Sequence, residues 1–193
     1  MYPRTLLPVA KETLIIDGAE ITVPKSEIYF NEWHGTSLEN TFGDKPQVNF
    51  EGRPMFAELA IMNMAINDGW DARWVETYGA AAEPYLLVDW IDAKIGEQPT
   101  KPIDEDRVND RLKSIHELND NSYSGCWDIL AWKDDLILMM ESKRRSRDAI
   151  HDTQLAWLRA AIKSGHDPRG FLLVEWDFRY VGVKGKNDSQ EMF

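Results

Sequence analysis

The sequence lacks several features that are typical of secreted, zinc-binding or membrane proteins. Cys126 is the only cysteine, so an intramolecular disulfide and a cysteine-based zinc site are excluded, and the four histidines show no metal-ligand spacing. No stretch approaches the run of about eighteen apolar residues that indicates a membrane helix, and no basic-then-apolar leader begins the chain. We therefore expect a soluble, cytoplasmic protein with no membrane partner.

Phosphate-binding glycine motifs and a general excess of basic residues are also missing. Without a Gly-rich fingerprint, a Rossmann or P-loop architecture is not indicated. The chain has 33 acidic and 22 basic residues and a net charge of −11, which argues against a polyanionic partner. Residues 141–170, however, contain seven Lys or Arg against four Asp or Glu, a local charge of +3. The basic cluster at 143–147 is either a phosphate-binding segment or a solvated face.

A hairpin is the clearest structural pattern in the sequence. Two apolar segments, 127–133 and 136–143, are typical of neighbouring β-strands, and Asp134-Asp135 between them predicts a tight turn. With that turn, the numbers of paired residues sum to 269. Asp128 then faces Glu141, and Lys143 lies on the same side because strand side chains alternate. The sequence thus predicts two carboxylates and an amine at one end of an otherwise apolar hairpin.

Carboxylates that face each other across a sheet are destabilising unless something neutralises them. A divalent cation does this well, because Mg²⁺ prefers hard oxygen ligands and typically takes one or two carboxylates together with water and substrate phosphates. The alternative is that Asp128 ends a strand at the surface while Glu141 pairs with Lys143 or with the arginines that follow. The first interpretation predicts a Mg²⁺ site, at which Mn²⁺ would substitute.

The same residues carry a resemblance to a known family. Asp128, followed by Glu141-Ser142-Lys143, resembles the core motif of the PD-(D/E)XK nuclease superfamily. Eleven residues past Lys143, the segment Gln154-Leu155-Ala156-Trp157-Leu158 is similar to the Gln-x-x-Trp-Leu signature of the VRR-NUC branch. That branch includes stand-alone nucleases and domains of structure-specific DNA repair enzymes. Trp127 stands where the family usually has proline, a departure that leaves the carboxylate in place.

The resemblance implies a Mg²⁺-dependent deoxyribonuclease whose partner is DNA. The expected reaction is endonucleolytic, and structure-specific DNA is one expected class of substrate. The resemblance also implies that Asp128 and Glu141 bind the metal with the backbone carbonyl of Ser142. Glu58, on the first core helix, would reach the ion through water or hold a second one; the alternative is an exposed glutamate in a first helical turn. The remaining expected site residues are Lys143 and Gln154 for water activation and positioning, and Arg144, Arg145 and Arg147 for binding flanking phosphates.

The order of elements predicts an α/β protein with a single domain over residues 1–193. The resemblance implies a restriction-endonuclease-like α/β/α core, in which helices flank a central mixed sheet, together with a helical insertion. We expect helices from 54 to about 66, at 104–118 and at 147–164, and strands at 73–77 and 171–178. The expected segments are an N-terminal β and loop extension (1–53), the first core helix and strand (54–77), a partly helical insertion or ordinary core (78–124), the catalytic hairpin, helix and last strand (125–180) and a polar tail (181–193).

Two other functions stay open at this point. The chain is either a nuclease or a nuclease-fold protein that has become a catalytically silent binding or assembly module, an alternative that its acidity supports. It is also compatible with another Mg²⁺-dependent hydrolase that acts on nucleotides. A homodimer stays open as well, because a chain without an added nucleic-acid module would need a second copy to span a duplex.

Overall fold

The computed structural model describes residues 1–40, 42–77 and 83–179. In this part of the chain nine strands join into one open, mixed sheet, and three α-helices pack on it. The protein is therefore of the α/β class, as the order of elements predicted. None of the described helices is both long enough and apolar enough to cross a membrane. The predicted tail, 181–193, lies outside the described residues, as does the start of the predicted insertion.

The predicted hairpin is present and has the predicted register. Strands β7 (Ile129–Lys133) and β8 (Leu136–Arg144) are antiparallel, and their paired residues sum to 269 throughout. The chain returns through α3 (Asp152–Lys163) to β9 (Phe171–Phe178), which pairs with β8 in parallel and matches the predicted last strand. This β8–α3–β9 crossover places the start of α3 beside the open end of the hairpin, opposite the turn.

Helix α3 begins five residues later than predicted. The backbone N–H groups of Arg147 and Asp148 both donate to the carbonyl of Arg144, and Ser146 has a positive φ of 56°. That geometry is a tight turn after β8 and cannot be continued as a helix. The basic cluster at 143–147 therefore lies on the end of β8 and in the turn that follows it.

The helix expected to begin at Pro54 also begins later. Pro54 lies in strand β4 (Arg53–Phe56), which pairs with β3 (Gln47–Phe50), and α1 occupies Ala57–Asn67. Because β4 is an edge strand of the sheet, the missing N–H of proline breaks no ladder. Helix α1 ends before Gly69, which has a φ of 80°, so the predicted end is confirmed.

The N-terminal segment belongs to the central sheet. Strands β1 (Ala10–Ile16) and β2 (Ala19–Glu32) form the predicted hairpin around Asp17-Gly18, both of which have positive φ as a type I′ turn requires. Strand β2 then runs parallel to β9 and finally pairs with β3. Residues 1–53 are therefore part of the sheet, and the loop between β2 and β3 reaches the end of the sheet near α1.

Residues 83–124 supply the strand at the other edge of the sheet and a helix of the layer that covers one of its faces. Strand β5 (Asp71–Glu76) pairs with both β7 and β6 (Tyr85–Leu87), and α2 (Asp106–Leu118) packs against α3. The Arg111 guanidinium donates to the carbonyl of Ser164 at 2.7 Å and so ties α2 to the end of α3. This segment is integrated into the sheet and its helical layer.

Alternate side chains of the strands build two separate cores. Trp74, Met140 and Val174 pack with α1, whereas Met139 and Phe171 pack with α2 and α3. This alternation follows from the pleat of the strands. Because both faces of the central strands are covered by apolar groups, charged groups within β8 require local partners.

Gly125 allows the chain before β7 to pass against the start of α3. Its φ is 78°, and a Cβ built there would lie 2.0 Å from the carbonyl oxygen of Thr153 and 2.8 Å from the backbone nitrogen of Gln154. Both atoms belong to the backbone of the first turn of α3 and cannot rotate away. Glycine is therefore required by space as well as by conformation, and this contact sets the position of Gln154.

Gly125→Ala is expected to lower the free energy of unfolding by on the order of 3 kcal/mol or more, because the new methyl group overlaps backbone atoms. Gly18→Ala is the matched control, since Gly18 has the same φ of 78° but no atom within 4 Å of the added Cβ. The control should cost only the conformational term of about 1–2 kcal/mol. Urea denaturation of both variants measures the difference, and equal losses would contradict a steric role for Gly125.

Candidate active site

The centre of the site lies where the β7–β8 ladder ends. The last backbone pair is Ile129 with Met140, and side chains continue the pairing beyond it. The N–H of Ser142 donates to Asp128 Oδ2 at 2.9 Å, and the N–H of Asp128 makes a longer contact of 3.4 Å to Glu141 Oε2. Each carboxylate thus accepts from the backbone of the opposite strand, and the structure brings together the two carboxylates that the register predicted.

The surroundings of both carboxylates favour their protonated forms. Burial, followed by the charges of Glu141 and Glu58, raises the pKa of Asp128 well above its usual range, although Lys45 and the Ser142 N–H act in the opposite direction. Burial also raises the pKa of Glu141, which is only 1 % exposed, and the Lys143 ammonium partly offsets that effect. The pair therefore carries an electrostatic cost that a bound cation would relieve.

Two donors converge on one oxygen of Glu141. Lys143 Nζ lies 2.9 Å from Glu141 Oε1, and the side-chain amide of Gln154 donates to the same oxygen at 2.6 Å. Lys143 is 8 % exposed, so its ammonium is held inside the site. The ion pair between Glu141 and Lys143 is the one that the alternative interpretation of the hairpin expected. Asp128, however, is half-buried, and its carboxylate accepts from the Ser142 N–H.

The first turn of α3 fixes the orientation of Gln154. Its side-chain oxygen accepts from the backbone N–H of His151 at 2.9 Å, which leaves the amide nitrogen directed at Glu141. Trp127, which is 1 % exposed, makes a 3.4 Å contact from its indole nitrogen to the Gln154 carbonyl and packs edge-on against Phe171. The residue that stands in place of the expected proline therefore anchors α3 to the start of β7.

Glu58 reaches the site from α1, and a residue that sequence reasoning missed accompanies it. Lys45 Nζ lies 2.6 Å from Glu58 Oε1, and both side chains are largely buried. Glu58 is thus neither an exposed helical residue nor an unpaired acid. Lys45 belongs to the loop between β2 and β3, and no local motif singles it out. Only the pairing of β3 and β4 beside α1 brings it to Glu58.

A cleft of about 550 Å³ opens beside these groups. Its basic side chains are Lys45, Arg144 and Arg147, and Glu58 and Ser142 lie on its wall; the other lining residues are Gly43, Asp44, Pro46, Ala57, Asp148 and Trp176. Arg144 stacks its guanidinium over the rings of Trp176 and Phe178, whereas Arg147 is exposed at the rim. Two of the three predicted phosphate-binding arginines therefore face the cleft.

Arg145 does not belong to this group. Its guanidinium forms ion pairs with Glu175 at 2.7 Å and Glu27 at 2.5 Å, and it also contacts the hydroxyl of Tyr29. These hydrogen bonds raise the pKa of Arg145 above its usual value. Since consecutive residues of an extended chain point to opposite sides, Arg144 and Arg145 separate here. Arg145 therefore lies outside the cleft and joins β8 to β9 and β2, and phosphate binding by the three arginines stays a prediction.

The donor set suits one hard divalent cation. Asp128 and Glu141 supply two carboxylates, the kind of hard oxygen ligand that Mg²⁺ prefers, and Ser142, between them and the cleft, lies on the cleft wall. Among the residues that the structure describes, no group of three or more His, Cys, Asp or Glu side chains is arranged to hold a metal ion. Glu58 is already paired with Lys45, so the carboxylates at the centre number two.

Comparison with known proteins does not assign a family. No protein-family model matches the chain, and neither a curated protein nor a solved structure matches it. What the site does is therefore inferred from its own geometry and chemistry.

Asp128→Asn is expected to stabilise the metal-free protein at neutral pH, because the amide keeps an acceptor for the Ser142 N–H and removes one of two opposed charges. A gain of about 1 kcal/mol would raise the melting temperature by roughly 2–4 °C in a chain of this size. Since the folded-state pKa values of Asp128 and Glu141 are raised, the parent should lose stability as pH rises from the ordinary carboxyl range through those values.

Thermal unfolding across pH, without divalent metal, measures this effect. Asp135→Asn is the control, since it removes an exposed carboxylate from the turn end of the same hairpin. The melting temperature of Asp128→Asn should lie above that of the parent and should fall less with rising pH. Superimposable curves for Asp128→Asn and the parent would show that the opposed carboxylates cost the fold nothing.

Proposed function

We propose that this protein is a Mg²⁺-dependent nuclease of the PD-(D/E)XK type, close to the VRR-NUC branch, with a restriction-endonuclease-like core. One observation carries the proposal: the Asp128–Glu141 pair, at the end of an apolar hairpin, has the Lys143 ammonium 2.9 Å from Glu141 and lies beside a cleft that contains arginines. Titratable groups that are perturbed by burial and by a specific charge partner, beside a cleft, are candidates for a functional site.

Hydrolysis of a phosphodiester joins a water oxygen to phosphorus and breaks the bond to the leaving sugar oxygen. Water loses one proton to solvent or to a carboxylate, and the leaving oxygen gains one. A Mg²⁺ ion held by Asp128, Glu141 and the Ser142 carbonyl would activate the water and neutralise charge on the phosphate. The tight packing around the hairpin end holds these oxygens in place before substrate arrives, which is the condition for effective charge stabilisation.

Lys143 is the residue that we place next to the attacking water. Its ammonium has three donors, and one of them is used on Glu141 Oε1. The others can orient water or contact a phosphate oxygen as negative charge develops. Gln154 acts as a positioning residue, because its amide holds Glu141 and is itself fixed by the first turn of α3.

We propose DNA as the substrate and endonucleolytic cleavage as the reaction. Arg144 and Arg147 face the cleft and would contact phosphates on either side of the scissile bond. Contacts of this kind supply most of the affinity for DNA, which the overall charge of −11 otherwise opposes. Glu58 lies on the cleft wall and is paired with Lys45, which supports placing the ion at the other two carboxylates.

The alternative function is a catalytically silent binding module, and one observation favours it. Lys143 and Gln154 already provide Glu141 with an ion pair and a hydrogen bond, so protein contacts alone stabilise this carboxylate. Metal binding separates the two functions, because a silent module that has kept these contacts for stability has no need of an ion.

The parent protein is expected to nick supercoiled plasmid with Mg²⁺ or Mn²⁺ and to be inactive with EDTA. Glu141→Gln and Lys143→Ala should each lower the rate by on the order of a hundredfold or more, because each removes a preorganised charge at the reaction centre. Lys133→Ala, at the turn end of the same hairpin, is the matched control and should leave the rate unchanged.

Parent-level nicking by Lys143→Ala would remove Lys143 from the mechanism, and absence of both metal binding and cleavage in the parent would favour the silent module. Hydrolysis of free nucleotides without plasmid nicking would indicate the nucleotide hydrolase.

The arginines give a second prediction. Replacing Arg144 and Arg147 together by Ala should weaken DNA binding, measured with Ca²⁺ so that cleavage does not intervene. It should also reduce the slope of log K against log salt by about 0.9 for each lost phosphate contact on a duplex. Arg145→Ala should keep the parent slope, because its guanidinium is held by Glu175 and Glu27. If Arg145→Ala changes the slope and the double variant does not, the cleft has been assigned to the wrong side of the strand.

A further inference from the structure

Strand β8 continues past the end of β7, and the N–H groups on that edge have side-chain acceptors. The ladder with β7 ends at Met140, but β8 runs on to Arg144. The N–H of Ser142, on this edge, donates to Asp128 Oδ2 at 2.9 Å. The next N–H on the same edge, two residues on, is that of Arg144, and it donates to Asp148 Oδ2 at 2.9 Å. Carboxylates therefore replace the missing strand and keep both N–H groups hydrogen-bonded.

The bond to Asp148 also closes the turn at 144–148. The carbonyl of Arg144 accepts from the N–H groups of Arg147 and Asp148, both at 3.1 Å. Arg144 and Asp148 are thus joined in both directions, by a backbone bond and by a bond to the Asp148 carboxylate. Ser146, inside this ring, has a φ of 56°, which is unfavourable for a residue with a Cβ. The closing bonds therefore maintain a backbone shape that is intrinsically unfavourable.

The two arginines of this turn that line the cleft are held in different ways. Arg144 pairs with Trp176 of β9, and its guanidinium stacks over the rings of Trp176 and Phe178. Arg147 lies in the exposed part of the turn and lines the cleft from there. The position of Arg147 therefore follows from the shape of the turn, and that shape depends on the Asp148 carboxylate.

We propose that Asp148 is a positioning residue, which holds Arg147 on the cleft wall for contact with a phosphate of the nucleic acid. This inference rests on the proposed nuclease function. Asp148 is itself a carboxylate at the cleft, and a negative charge there repels phosphate. Because the carboxylate closes the turn, however, deleting it should weaken DNA binding even though the protein becomes less negative.

Two substitutions separate the acceptor from the charge. Asp148→Ala removes both, whereas Asp148→Asn removes the charge and keeps an oxygen for the Arg144 N–H. With Ca²⁺ in place of Mg²⁺, Asp148→Ala should weaken duplex binding by roughly tenfold, as for loss of one hydrogen bond to a charged group, and should reduce the salt slope by about 0.9. Asp148→Asn should bind at least as tightly as the parent protein and keep its slope.

A double-mutant cycle with Arg147→Ala tests the route of the effect. In the Arg147→Ala background, Asp148→Ala should no longer weaken binding, because the side chain that Asp148 positions is absent. Ser146→Val should reproduce the loss without changing any charge, since a β-branched residue rarely adopts a φ of 56°. Ser146→Gly is the matched control and should keep the parent affinity, because glycine adopts that φ readily.

Cleavage kinetics and metal binding add readouts that a general loss of stability would not reproduce. Asp148→Ala should raise KM about as much as it weakens binding and should leave kcat close to the parent value, because the residues at the reaction centre are unchanged. Titration with Mn²⁺ should give the parent affinity for both Asp148 variants.

The outcomes separate this inference from the nuclease proposal. If the parent protein binds no DNA, both fail. If the parent binds DNA but Asp148→Ala and Asp148→Asn tighten binding equally, the carboxylate acts only as a repulsive charge and the positioning role is overturned. That role is also overturned if Asp148→Asn loses Mn²⁺, which would make Asp148 a metal ligand, or if the effects of Asp148→Ala and Arg147→Ala are additive. Should Asp148→Ala fail to fold, weaker binding by Ser146→Val than by Ser146→Gly supports the proposal, and equal binding overturns it.

Discussion

The constraint on which this site depends is the way the β7–β8 ladder ends. Backbone pairing stops at Ile129 and Met140, and the carboxylates of Asp128 and Glu141 then accept from the backbone of the opposite strand. Two like charges are held close together because the strands that carry them are locked by apolar cores on both faces. The sheet thus supplies the packing that maintains an unfavourable electrostatic arrangement, and such arrangements are typical of functional sites.

The second half of the site comes from the opposite side of the sheet. Helix α1 and the loop between β2 and β3 contribute Glu58 and Lys45, whereas the hairpin and α3 contribute the opposed carboxylates, Lys143 and Gln154. Lysines on both sides give the acidic groups local compensation in a chain whose net charge is −11. Gly125 and Trp127 join these halves by fixing the start of α3 against the start of β7.

The arginines show how an acidic protein can still place basic side chains on the wall of one cleft. Arg144 and Arg147 line the cleft, but their neighbour Arg145 binds Glu175 and Glu27 on the other side of the sheet. A run of basic residues in sequence is therefore not a continuous basic patch in space. The pleat of the strand divides it between one part that faces the cleft and one part that joins β8 to β9 and β2.

The sequence by itself determined the features that depend on local pairing and periodicity. The hairpin register, the last strand and the apposition of Asp128 and Glu141 all follow from a two-residue turn and the alternation of side chains, which are short-range rules. The place of Gln154 beside Glu141 agrees with the spacing of its motif, although α3 begins at Asp152 because the chain turns at Ser146.

Only the tertiary structure decided which distant groups complete the site. Lys45 lies 13 positions from Glu58 in a turn-rich loop, and nothing in its neighbours indicates that it would meet a helix of the core. Its position follows from the pairing of β2, β3 and β4, and from contacts with the rings of Phe42 in the same loop and Trp74 on β5. The ion pairs of Arg145 likewise depend on strands β2 and β9, which lie far from it in sequence. Contacts of this kind are long-range, and the local pattern of a single sequence contains no signal for them.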